Sequence, residues 1–344
     1  MELTEIKTYL LDLPVIERNS IISEIVKLSD VKTDVVCNFQ KLRRDVLNNK
    51  QGECPHCHHK KYVKFGFKSG SQRYKCKSCN RSFTEYTGTW IAGLHHKDKI
   101  DDYLNLMVQE KSLDKIKVEL EINKKTAFDW RHKILSSLSD TEDDKFIGIT
   151  ESDETFFLHS SKGIKVKNKK PRKRGGSSKK RGISKDHIAV IVTQDRKKNL
   201  DLTVATCGRI KKTNIEKAIG RKISKHTVLC TDGHVSYKGF AKDNKLEHHP
   251  LRGDLKQFVK KEIYHIQHVN STHNRLKKWI DYKFWGVSTK YLQQYLNWYK
   301  LKETIKDKKY IAKEFAERTV DKLSSNIKYK NIEREYQILI STQL

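Results

Sequence analysis

The chain has 344 residues, with 71 lysines and arginines against 42 aspartates and glutamates and a formal net charge of +29. That length accommodates two or three domains, each with its own core, and nothing in the composition suggests disorder throughout. The basic residues are spread along the chain and point to a polyanionic partner, because such a surface attracts phosphates and releases their counterions. No run of about 18 apolar residues occurs, and the opening MELTEIKTYLLDLP carries acids where a signal peptide carries a basic region. The expectation is a cytoplasmic protein with no membrane partner. Of seven cysteines, four form two C-x2-C pairs. Cys37, Cys207 and Cys230 stand in apolar surroundings and are expected to be buried small hydrophobes in a reducing compartment.

Residues 1–50 show helical spacing. Ile6, Leu10 and Leu11, then Ile21, Ile22, Ile25 and Val26, recur at steps of three and four, with Pro14 as a break. A small helical bundle and a docking arm both fit this N-terminal helical region.

From residue 51 to 92 the pattern changes. Cys54-x2-Cys57 and Cys76-x2-Cys79 are separated by 18 residues, the spacing of two knuckles converging on one tetrahedral Zn2+. Between them YVKFGF and QRYKC alternate as a hairpin joined by KSGS. Four thiolates around zinc let a segment with hardly any core fold, since ligand binding supplies the free energy that burial cannot. His56, His58 and His59 are surplus to a complete cysteine set and are expected in solvent or facing phosphates.

Residues 93–140 are helical again. KIDDYLNLMVQEKS places Ile100, Tyr103, Leu104, Met107 and Val108 on one side. LDKIKVELEI is followed by Asn123 as turn and N-cap, and then by KKTAFDWRHKILSSL. Two short helices and a tight turn fit a helix-turn-helix, whose second helix presents Lys124, Lys125, Thr126, Asp129 and Arg131 to DNA. A plain helical hairpin fits the same pattern.

After the acidic hinge SDTEDDK the period becomes two. FIGITESDETFF reads as a strand, and residues 162–185 as a flexible loop too basic to pack. HIAVIVTQDR and LDLTVATC read as strands joined by RKKN, KTNIEKAIGRKI as a helix, and HTVLCTDG as a fourth strand ending in a Gly turn. The first three make a meander. The helix then carries the chain to a strand parallel to the first. This order predicts an α/β domain with a ribonuclease-H-like mixed sheet and flanking helices, in which Asp153 on the first strand and Asp232 at the end of the fourth can meet. Two such carboxylates suit a pair of Mg2+ ions about 3.5–4 Å apart, since hard cations need oxygen ligands. SDET and TDG taken singly are weak signals, because isolated acids also serve as caps and Asp-Gly is an ordinary turn.

Taken in order, the two C-x2-C pairs, the helix-turn-helix, DETFF, the basic Gly-rich loop, TDGHVSY, HVN to LKKW and GVSTKYLQQYLNWY resemble the DDE-type transposases of bacterial insertion sequences. The resemblance is to the group with an N-terminal zinc ribbon and an ISXO-type catalytic domain, and it covers residues from about 51 to 300. It implies DNA cleavage at the 3′ ends of the element and attack of the freed hydroxyls on target DNA. It also implies Mg2+ or Mn2+, double-stranded DNA ends and target as partners, a homodimer or higher oligomer on DNA, and a nucleoid-associated location. The catalytic domain then spans 145–302, and 303–344 is a basic helical tail, open to DNA contact or partner docking.

Carried over position by position, Asp153 and Asp232 match the family's two aspartates. The third acid ordinarily stands on a helix, seven residues before a lysine. Alignment on LKKW makes Lys277 that lysine and Asn270 the third position, while alignment on HVN places His273 there. Asn270, His273 and Lys277 stand at i, i+3 and i+7 on one helix face. An Asn carbonyl is the harder ligand, which favours Asn270 for Mg2+, with His273 on metal, water or phosphate. Lys277 then contacts DNA near the scissile phosphate, and Lys278 and the loop cations Lys170, Arg172, Lys173 and Arg174 are further DNA-binding residues. Glu262 supplies a carboxylate if IYHI is helical. Glu154 is the weaker substitute, because strand neighbours face opposite sides. Trp285 and Trp298 are expected in the core. Besides an active transposase, two other functions fit: a domesticated, non-catalytic DNA-binding protein, and a resolvase-like or repair nuclease on the same sheet.

Overall fold

The computed structural model describes residues 3–14, 17–18, 20–21, 38–49, 52–138, 145–163, 176, 178, 181–308, 311–320 and 325–341. Ile22, Ile25, Val26 and Cys37, and the loop cations Lys170, Arg172, Lys173 and Arg174, lie outside the described residues.

Helix α1 (Leu3–Asp12) ends two residues before Pro14, whose ring cannot continue it. Leu11, expected on its apolar stripe, is exposed. Helix α2 (Phe39–Asn48) starts where the Asn38 side chain accepts from Lys41 N at 2.7 Å, and it buries Phe39, Arg43 and Leu47. Strands β1 (Tyr62–Lys68), β2 (Ser71–Cys76) and β3 (Ser82–Thr84) form an antiparallel sheet in the order β1-β2-β3. Its core is Leu47, Tyr62, Tyr74 and Phe83 with Cys54 and Cys76, as small as the sequence implies.

Helices α3 (Ile100–Val108), α4 (Leu113–Glu119) and α5 (Lys124–Ser137) follow. Asn123 caps α5 as expected, its Oδ1 accepting from Lys125 N at 2.8 Å. Ile100, Tyr103, Leu104 and Met107 of α3 are buried.

The second sheet contains β4 (Phe146–Leu158), β5 (His187–Asp195), β6 (Leu200–Cys207), β7 (Ile223–Thr231) and β8 (Glu247–Pro250), in the order β6-β5-β4-β7-β8. The β4-β5-β6 meander is antiparallel, and helix α6 (Lys212–Ile219) crosses over to β7, which pairs parallel with β4. Helix α7 (Val235–Asp243) then leads to β8, parallel to β7. Strand β5 shows why helices cover both faces: Ile188, Val190 and Val192 join one apolar cluster, Ala189 and Ile191 the other. The second cluster is closed by α6 and α7 through Ile215, Tyr237 and Phe240. The first is closed by α5, by α8 (Gln267–Lys278) and by α9 (Leu292–Ile305), and it continues from Phe39 to Val320.

The C-terminal segment folds back on this body. Helix α10 (Ile311–Val320) receives the buried Arg43 guanidinium on Val320 O at 3.2 Å. Helix α11 (Ser325–Ser341) sets the Tyr336 hydroxyl 3.1 Å from His159 Nε2 and pairs Glu333 with Lys290. Cys207 and Cys230 are buried thiols, as expected. Trp298 is in the core, but Trp285 corrects the sequence reading: it sits at φ +53 just after a π-helical turn, Trp279–Lys283, and is 67% exposed.

Candidate active site and metal centre

Strand register brings the two aspartates together. Glu151 pairs with Cys230 in the parallel β4–β7 ladder, so two residues further along Asp153 stands beside Asp232. Gly233, at φ +83, turns the chain immediately after Asp232, and a Cβ there would come within 3.3 Å of Pro250. Asp153 Oδ1 accepts from Glu154 N and Asp232 Oδ1 from His234 N, each at 2.9 Å. Burial, and then the Asp232 charge, push the Asp153 carboxyl up to about 7, with Lys277 opposing. A buried carboxylate short of positive charge beside a second carboxylate is a donor set that suits a hard divalent cation.

Helix α8 supplies the facing side chains. His273 is buried, with Nδ1 4.0 Å from Asp153 Oδ2, and its Nε2 is buried without a hydrogen-bond partner. Burial and Lys277 hold its imidazole down to about 4, against a hydrogen bond to the Asp153 backbone, so near pH 7 the ring is neutral. An orphaned ring nitrogen at this position also fits a metal or a substrate donor. Lys277 is exposed one turn further on, and Lys278 beside it. Asn270 is exposed in the first turn, its N–H bonded to Ile266 O, and its side chain makes no hydrogen bond to either aspartate among the described residues.

Glu262 is corrected: it is exposed at φ +62 in a tight turn closed by the Lys260–Tyr264 bridge, and IYHI is not helical, so no helix face carries it inward. Glu154 has its Oε2 buried without a partner, and burial, Asp153 and Asp232 raise its carboxyl to about 8.

Glu151 was not singled out by the sequence, yet it joins β4 to α8. It lies two residues before Asp153 and is almost fully buried. Its Oε2 accepts from His268 N at 2.9 Å and Val269 N at 3.2 Å, first-turn groups of α8 that have no partner within the helix. Its Oε1 is 2.7 Å from both Arg196 and His268 Nδ1. Glu151, His265 and His268 are close enough to share a metal. The Arg196 guanidinium already neutralises the carboxylate, however, so the cluster is a clamp between β4 and α8. Glu151→Ala should lower stability by about 2 kcal/mol or more, since a charged hydrogen bond and a helix cap are lost together. Urea unfolding measures this; an unchanged midpoint rules out the clamp.

The four knuckle cysteines converge. Cys54 and Cys79 Sγ are 3.7 Å apart, Cys57 and Cys76 Sγ 3.6 Å, and all four sulfurs lie within 4.8 Å of one another. A zinc tetrahedron with bonds of about 2.3 Å has edges of about 3.8 Å. Backbone N–H groups of Cys79 and Ser78 bring the Cys76 thiol down to about 7, while burial pushes Cys54 up to about 12. The set fits one structural Zn2+. Cys76→Ser should lose that zinc and, with it, the near-ultraviolet dichroism of Tyr62 and Tyr74. Zinc analysis showing full metal content in the variant counts against the site.

In α5, Lys124 and Lys125 are exposed in the first turn, paired with Asp114 and Asp129, and Thr126 is half-buried. Arg131 is corrected as a DNA-facing residue. Its guanidinium is buried, donating to Lys111 O at 2.6 Å and lying 5.4 Å from the Trp298 ring centroid.

A five-stranded mixed sheet with helices on both faces, and two acids at the adjoining ends of parallel strands, defines an α/β domain of the ribonuclease-H-like kind. Residues 145–303 match the ISXO2-like transposase domain, a family of insertion-sequence transposases. The chain is also 24% identical over 265 residues to an uncharacterized protein in transposable element ISH50 of Halobacterium salinarum (strain ATCC 700922 / JCM 11081 / NRC-1). That alignment covers 73% of this chain and 85% of the relative. No solved structure matches. No helix among the described residues is long and apolar enough to cross a membrane.

Proposed function

We propose that the chain is a DNA transposase of an insertion sequence, binding terminal inverted repeats and catalysing metal-dependent strand cleavage and strand transfer. The observation that carries the reading is the meeting of Asp153 and Asp232, with the neutral His273 ring and the Lys277 ammonium across from them. Asp153 and Asp232, with His273 or Asn270, would hold Mg2+ or Mn2+, which supplies activation of the attacking oxygen and stabilisation of the leaving one. Lys277 and Lys278 extend from the same helix toward the phosphates flanking the scissile bond. Lys124, Lys125 and Thr126, at the exposed start of α5, lie where a recognition helix meets base edges. The loop cations Lys170, Arg172, Lys173 and Arg174 add backbone affinity, and two copies act on paired ends.

The test is purified protein with Mg2+ or Mn2+ on a duplex carrying the terminal repeat, scored for nicking and joining. Asp232→Ala should lose on the order of 10³-fold or more, because several kcal/mol of transition-state stabilisation are removed, while DNA affinity stays within about twofold. Equal activity in the variant overturns the site. The absence of an acid at the third position favours a second reading, a non-catalytic DNA-binding protein. Tight, salt-sensitive binding without cleavage under any metal would establish it. Cleavage without joining would instead favour a resolvase-like or repair nuclease.

A further inference from the structure

The β1–β2 hairpin carries Lys64, Lys68, Arg73 and Lys75 and no acid between Tyr62 and Cys76. Every residue from Val63 to Gly70 is exposed, including Phe65 at 47% and Phe67 at 67%. An isolated sheet edge with apolar side chains ordinarily invites another strand. Here the edge is broken. The ladder shifts between Lys64 and Phe67, a bulge in which Gly66 sits at φ +68, and the flanking lysines repel a second copy of the same basic edge. The rings are therefore unsuited to strand pairing, and their surroundings point elsewhere.

Val63 pairs with Lys75, and the bulge sets Phe65 opposite Arg73, so all four side chains share one face. The Arg73 guanidinium is 5.1 Å and Lys75 Nζ 5.4 Å from the Phe65 ring centroid. Phe67, beyond the bulge, pairs with Gln72 and so stands exposed on the opposite face, near the hairpin tip. Cations on the same strand two residues apart stand about 6.6 Å from each other, close to the phosphate spacing of an extended strand. Aromatic rings beside such cations offer a stacking surface to any base, independent of sequence.

We propose that this hairpin face is a docking surface for an unpaired DNA strand, with Phe65 stacking on a base and Arg73 and Lys75 on the phosphates. It rests on the reading of the chain as a DNA-processing protein and is separate from the α5 residues assigned to duplex recognition.

The test is fluorescence anisotropy of the full chain with a labelled 20-nucleotide oligothymidine and with a 20-base-pair duplex. The Phe65→Ala protein should bind the single strand at least fivefold more weakly and the duplex within about twofold, whereas Phe67→Ala, on the other face, should change neither by more than about twofold. Zinc content is checked in parallel. Phe65→Leu, which keeps apolar volume but removes the ring, should show the same selective loss if the alanine variant fails to fold. Unchanged single-strand affinity in the Phe65 variants, or equal losses for both DNAs, overturns the proposal while leaving the proposed function intact. A change in sedimentation coefficient of the variants without a change in DNA affinity assigns the face to a second copy and overturns it too. Failure of the unsubstituted protein to bind either DNA overturns the functional reading itself.

Discussion

Asp153→Asn should stabilise the protein in magnesium-free buffer at pH 8 while abolishing strand cleavage. The Asp153 carboxyl is raised from 3.8 to about 7, first by burial and then by Asp232. A folded-state value above the unfolded one means that the native state holds the proton more tightly. The stability this contributes is complete below about pH 4 and is lost as pH rises through about 7. At pH 8 the folded chain therefore carries an ionised, buried carboxylate beside a second one, at a cost of about 2 kcal/mol or more between pH 5 and 8. An amide keeps the Oδ1 acceptor for Glu154 N and never ionises. The fall in the urea midpoint from pH 5 to pH 8 should thus be smaller in the variant than in the parent, what remains in the variant coming from the raised Glu154 carboxyl, which the lowered His273 imidazole opposes. Added Mg2+ should recover the parent at pH 8 and leave the variant unmoved. The same substitution removes the anionic oxygen that a cation needs, so cleavage should fall on the order of 10³-fold. Identical pH slopes in the two proteins would sink the electrostatic account of the site.

What the sequence discloses follows from the range of the interaction involved. The cysteine knuckles are legible because ligand chemistry fixes their spacing, and their sulfurs do converge. The β4-β5-β6 meander and the parallel return of β7 are legible because period two, a helix and another apolar run leave few topologies. Asn123 is legible because capping is local. Arg131 is not: its helix position says nothing of the Phe284 and Trp298 rings more than 150 residues away that enclose it. Glu151 escapes for the same reason, since its partners His268 and Val269 lie 117 and 118 positions on. Trp285 and Glu262 fail differently. Each sits at positive φ, a conformation imposed by the local chain path that residue type does not announce.

The third position of the site is where sequence and structure part, and there the largest functional contrast is expected. Hardness of the donor favours Asn270, whereas the packing of α8 puts the His273 ring 4.0 Å from Asp153 and leaves its Nε2 without a partner. A ring that burial keeps neutral has a lone pair to offer, so the absence of an acid here does not mean the absence of a donor. His273→Ala should therefore reduce cleavage on the order of 10²-fold, about 3 kcal/mol at a tenfold loss per 1.36 kcal/mol. Asn270→Ala, at an exposed first-turn position, should cost less than tenfold. His273→Glu is the decisive variant, since it exchanges a softer nitrogen for the hard anionic oxygen of an ordinary third acid. It should remain active and should lower the ratio of Mn2+-supported to Mg2+-supported cleavage, because imidazole suits the later transition metals and carboxylate suits Mg2+. If Asn270→Ala is as damaging as His273→Ala, and His273→Glu is inactive with both metals, the amide is the ligand. The His273 ring then only packs against Asp153, and its buried nitrogen is an unsatisfied group tolerated for the sake of holding α8 against β4.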